Sequence, residues 1–211
     1  MPYRADLKHR AKEQIRGNIA ILFIMMLLIG LMTGASAFTV VGPVILAGAF
    51  MISNAGIYLS LSRGKRPELG DLFNGFYILG RAVGLYLMMS VFAFLWSLLF
   101  YIPGIIKMLS YSMAPYILAE NPRMTSSEAL NESKRMMRGH CGELFILQLS
   151  FLPWALLTAV TAGIAGIYVI PYMSATMANY YNALRYGSGP AAPATAYDNH
   201  YKEDQREGRL Q

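Results

Sequence analysis

The sequence predicts an all-α polytopic membrane protein, with six transmembrane helices arranged as three in-out-in hairpins and short cytoplasmic interfacial helices between them. Three observations predict this fold. The first is where charge is missing. Between Ile19 and Leu61, Ala82 and Ala119, and Leu144 and Leu184, Lys107 is the single residue of strong charge. A bilayer-crossing helix needs about 20 mostly apolar residues, so each stretch, roughly twice that length, fits two spans. The second is composition: 55% of the 211 residues are hydrophobic and 14% are charged, with mean hydropathy +0.37. Soluble domains carry about a quarter charged residues, and a soluble helical domain can bury one such run but not three.

The third observation is the placement of Lys and Arg. Of the 18, five lie in Arg4 to Arg16, four in Arg63 to Arg81, four in Arg123 to Arg138 and four from Arg185 onward, with Lys107 remaining. The connections inside the double spans, at Thr33 to Val41, Tyr101 to Gly104 and Gly163 to Tyr168, contain none. Positive loops stay in the cytoplasm. Both termini are therefore expected inside a cell membrane, with three hairpins reaching outward. The net charge of +6 flanks apolar spans and forms no continuous stripe, which points to membrane lipids and excludes nucleic acid as a partner.

Taken in order, residues 1–18 read as a basic cytoplasmic segment and 19–186 as the membrane domain. The expected spans are about 19–36, 40–61, 82–101, 103–119, 144–165 and 169–185. Basic residues before Ile19 to Met32, followed by Ala35-Ser36-Ala37, also have the layout of a cleavable signal. The apolar run resumes at once from Val40, as a hairpin partner would, and favours a retained first helix. The second helix of each hairpin is expected to open on a proline: Pro43, Pro103 and Pro171. Polar and aromatic residues recur after each proline, at Asn54 and Tyr58, at Tyr111, Ser112 and Tyr116, and at Asn179, Tyr180 and Asn182. Three parallel repeats of one hairpin would give a pseudo-threefold bundle. Interfacial helices are expected at about 67–78 and 125–138, the latter opened by Thr125-Ser126-Ser127-Glu128 at capping-box spacing. Residues 187–211 turn small, Pro-rich and then polar, and are expected to be disordered.

Few residues could carry chemistry. Lys107 lies one helical turn past Pro103, near the outer surface, where its stem can snorkel to headgroups or its ammonium can meet a substrate. Asn54, Ser112 and Asn182 join it as a candidate intramembrane polar site; inter-helix hydrogen bonding is the commoner role for such residues. Arg123, Lys134, Arg135 and Arg138 are candidate contacts to anionic lipid or a membrane-protein partner. No HExxH, GxSxG, P-loop or paired intramembrane acids are present, so no catalytic residue, metal or cofactor is expected. His140 with Glu143 is an acid–histidine pair at a helix entrance, where Glu143 suits the helix N-terminus. The single Cys141 excludes an internal disulfide.

The run Ile102-Pro103-Gly104-Ile105-Ile106-Lys107, the stretch Tyr111 to Pro122, Ser133-Lys134 with Met137 and Gly139-His140, and Glu143-Leu144-Phe145 with Leu149-Ser150-Phe151 and Trp154 together carry a resemblance. They resemble an uncharacterised bacterial integral-membrane family, number 975 among the domains of unknown function, most specifically over positions 102–154. The resemblance implies a multi-pass membrane protein and supplies no activity. Cys141 stands where relatives often carry a basic residue, which argues against a required thiol. The family is also distantly similar to the membrane domain of some glycerophosphodiester phosphodiesterases, but the catalytic acids of that enzyme's soluble domain have no counterpart here. The expected function is a non-enzymatic scaffold or accessory component contacting anionic lipid or a partner. The rival is a transporter or channel for a small or amphipathic solute, and a lipid-modifying enzyme would need a further acid beside His140 and Glu143.

Overall fold

The computed structural model describes residues 4–35, 41–99, 101–161 and 163–187; of the tail expected to be disordered, 187–211, all but Gly187 lies outside the described residues. All regular structure in that range is helical. α1 spans Arg4–Arg16, α2 Ile19–Ala35 and α3 Val41–Ser62; a 3-10 turn at Leu69–Phe73 leads into α4, Asn74–Tyr77. α5 follows at Leu79–Leu99, α6 at Tyr101–Tyr111, α7 at Ala114–Glu120 and α8 at Ser126–Met136. α9 at Cys141–Leu149, α10 at Leu152–Val160 and α11 at Gly166–Tyr186 complete the described helices.

Helices cover most of each stretch expected to cross, but two to four of them, not six, are candidates for crossing, and prolines divide two of the stretches. Pro115 interrupts the fourth between α6 and α7, and Pro153 interrupts the fifth between α9 and α10. Proline lacks the N–H that would bond back one turn and disfavours helix in the residue before it. Side chains serve the carbonyls near each break: Ser112 Oγ donates to Leu109 O at 2.7 Å and Ser150 Oγ to Leu147 O at 2.5 Å. The proline-opening pattern is right for α3 and α6, where Pro43 and Pro103 fall in the first turn, but α11 begins five residues before Pro171. Gly163, at φ 91°, makes the turn into α11. Gly42–Ser62 and Cys141–Val160 are long and apolar enough to cross a membrane. Two bent pairs, Asp6–Arg16 with Ile19–Gly34 (87°) and Leu69–Tyr77 with Leu79–Leu95 (81°), raise the number of such candidates from two to four if each is one span.

α3 is central and packs on α5, α7 and α11, while α1 lies along α11. Two glycines permit the closest approaches. A Cβ at Gly48 would meet the Val83 backbone at 2.9 Å, and one at Gly75 would meet Ala49 O at 2.0 Å. The core is concentrated toward the charged ends of the hairpins, with Ile52, Ile57, Leu59, Met113, Ile117, Leu118 and Tyr181 fully buried. Toward the hairpin turns the bundle opens instead. Leu31 (69%), Phe94 (67%), Val160 (84%) and Ile164 (73%) expose their side chains there. Apolar exposure on this scale suits a hydrocarbon solvent, where closed helices satisfy their own backbone groups. This end is what associates the protein with a membrane.

Candidate functional site

The densest polar cluster forms where α3, α7 and α11 end. All three fall in the stretches expected to be second helices of hairpins, and each finishes on charge: Arg63 follows α3, Glu120 closes α7, and Arg185 lies in the last turn of α11. The Arg63 side chain is 1% exposed and that of Glu120 11%, and the two form an ion pair. Glu120 Oε2 also accepts from the Tyr181 hydroxyl at 2.5 Å, and Oε1 from the Tyr186 hydroxyl at 2.5 Å. Arg185 Nε lies 3.4 Å from Glu120 Oε2, and Arg185 Nη1 lies 3.3 Å from Glu132 Oε1 on α8. Asn182 accepts from Arg63 Nη2 at 3.4 Å and donates to Ser62 Oγ at 2.6 Å. Next to this, Gln14 of α1 exchanges amide hydrogen bonds of 3.3 and 3.0 Å with Asn179. Tyr116 stacks on Tyr181, ring centres 5.7 Å apart, joining α7 to α11 below the ion pair.

One carboxylate thus ties three helix ends together. Burial pushes the Glu120 carboxyl up, but hydrogen bonds from Tyr181, Tyr186 and Arg63, with the Arg63 charge, outweigh it and hold it below the usual carboxylate value. Burial and the same contact with Glu120 push the Tyr186 hydroxyl up, so it stays a donor at neutral pH. Because the Glu120 pKa is lower folded than unfolded, its stabilisation is complete above the ordinary glutamate value of about 4.3 and is lost as pH falls through the lower folded value. Thermal unfolding followed from pH 7 downward should therefore show this contribution failing only below about pH 4. In a Glu120→Gln variant that acid limb should flatten.

The expected contact residues separate into two groups. Arg123, Arg135 and Arg138 are exposed, with Arg135 paired to Glu132 at 2.7 Å. Lys134 is half-buried, its ammonium 5.3 Å from the Tyr111 ring centre and 5.9 Å from that of Phe92. α8 lies lengthwise on α5: Ser126 Oγ donates to Arg81 O at 2.7 Å, and eight residues later Lys134 reaches Phe92. The expected capping box is present, with Thr125 and Glu128 bonded reciprocally.

The four candidate intramembrane positions do not converge. Asn54 lines a cavity between α2, α3 and α11 that none of the other three borders. Asn182 belongs to the Arg63 network, Ser112 bonds its own helix at Leu109, and Lys107 is half-buried on α6. His140 Nδ1 is 3.4 Å from Glu143 Oε2, and among the described residues no three His, Cys, Asp or Glu side chains are grouped to hold a metal. The Arg63–Glu120 pairing escapes a reading of the sequence because charges at span ends read as orientation signals. The available signal was that all three second helices end on complementary charge.

Most of the network lies in a recognisable stretch. Residues 100–188 match the family model described as Protein of unknown function (DUF975). This agrees with the resemblance carried by residues 102–154. The DUF975 segment holds Glu120, Glu132, Tyr181, Asn182, Arg185 and Tyr186, whereas Arg63 precedes it. No curated protein and no solved structure matches the chain.

Proposed function

We propose that this protein is a non-enzymatic integral component of a bacterial cell membrane, with three hairpins that cross the bilayer and both termini in the cytoplasm. It acts as a scaffold or accessory subunit that holds anionic lipid headgroups or an acidic membrane partner at its cytoplasmic end. The observation that carries this reading is the contrast within that end. Arg63 and Glu120 are buried against one another, whereas Arg123, Arg135 and Arg138, the last two on and just after α8, are exposed. A tied base with basic residues around it suits a fixed contact surface, and each exposed cation contributes about 1 kcal/mol toward an anionic surface. The second reading is a transporter or channel for a small or amphipathic solute, which would use Lys107, Asn54, Ser112 and Asn182.

Lys134 leaves the contact set, since its ammonium is seated on Tyr111 and Phe92. Replacing Arg123, Arg135 and Arg138 together by Gln should lower retention of anionic lipid, read by mass spectrometry of protein purified from native membranes, while the thermal transition stays in place. Lys134→Gln should do the reverse, losing about 0.5–1 kcal/mol of stability with lipid retention unchanged. Undiminished lipid and partner recovery by the triple variant would reduce α8 to a linker.

A further inference from the structure

The cavity beside Asn54 is lined by Leu22, Met25, Met26 and Ile29 of α2, Asn54, Ile57 and Tyr58 of α3, and Ile170 of α11, and encloses about 140 Å³. That is close to the roughly 150 Å³ of an apolar cavity known to stay dry and admit a benzene-sized group. Met26 and Ile170 on its border are 36% and 42% exposed, so it opens sideways, on the face where α2 presents Phe23, Ile24 and Leu27. Asn54 sits eight residues before Ser62, about 12 Å along the helix from the charged end. Among the described residues its carboxamide makes no hydrogen bond. An amide with one free donor pair and one free acceptor is costly against hydrocarbon, where no water completes it.

We infer that this cavity binds an aliphatic chain carrying a single hydroxyl or carbonyl group, entering from the bilayer, with the oxygen on the Asn54 amide and the chain against Met25, Met26 and Ile57. The methionines suit this role, because flexible thioether side chains fill gaps around chains of varied shape. The inference is independent of the proposed scaffold role.

The probe is a diazirine-bearing octanol, applied to the full chain in lipid vesicles and located by mass spectrometry after illumination. Labelling should be enriched at Met25, Met26, Ile57 and Tyr58 over the exposed face of α10 at Leu156 and Val160. Unlabelled octanol should compete while octane does not, which reads the hydrogen bond without any substitution. Asn54→Leu should cut cavity labelling about fivefold, the factor expected for one net hydrogen bond, and leave labelling by a diazirine-bearing alkane unchanged. Even labelling of the cavity and α10, or equal competition by octane, would overturn the inference.

Discussion

Replacing Glu120 by Ala should destabilise the protein by about 3–5 kcal/mol, the range for breaking a buried ion pair from one side. The loss is large because four partners are stranded at once. The Arg63 guanidinium, 1% exposed, would keep its charge without its carboxylate, and its Nε and Nη1 have no hydrogen-bond partner even with Glu120 in place. The Tyr181 and Tyr186 hydroxyls would lose their acceptor, and Arg185 one of its two. Removing both charges should be far less harmful. Arg63→Met with Glu120→Leu should fall well short of the sum of the single changes, because apolar residues of similar volume need no buried partner. Thermal unfolding of the four proteins in one detergent measures the coupling, and additive losses would mean the pair is not linked.

The second large effect is expected at Gly75. A methyl group there would sit 2.0 Å from Ala49 O and 2.8 Å from Ser53 Oγ, and the first of these is backbone that cannot swing aside. α4 would have to move off α3, breaking the 2.8 Å bond from Gly75 N to the buried Ser53 hydroxyl. Overpacking and the lost bond together should destabilise by about 3 kcal/mol. Gly80→Ala is the control: nothing lies within 4 Å of its Cβ, and alanine favours helix by about 0.5–1 kcal/mol. Unfolding temperatures that move down for Gly75→Ala and hold or rise for Gly80→Ala are the expected pair of results.

Which parts of this were legible follows from what a local pattern can encode. Apolar stretches place the helices because hydrophobic content needs no partner to be recognised, and the Thr125 capping box is written within four residues. The breaks at Pro115 and Pro153 are equally local, but each is masked by the otherwise uninterrupted apolar run around it. The Arg63–Glu120 pair could not be read this way, since its members are 57 residues apart and only packing of α3 on α7 joins them. Charge alone groups Lys134 with Arg135 and Arg138. Helical spacing separates it from them, because it lies four residues after the buried Leu130 and so on the packed face of α8.

The central claim, that three hairpins cross the bilayer with the Arg63–Glu120 end in the cytoplasm, is open to one direct measurement. With Cys141→Ser as background, single cysteines at Gly34 and Ile164 report the hairpin turns, and at Arg66 and Arg138 the charged end. A membrane-impermeant maleimide should label Gly34→Cys and Ile164→Cys in intact cells, and Arg66→Cys and Arg138→Cys only after the membrane is opened. Outside labelling of Arg66→Cys or Arg138→Cys would contradict the orientation, and turn positions unlabelled from outside would show that the hairpins do not cross.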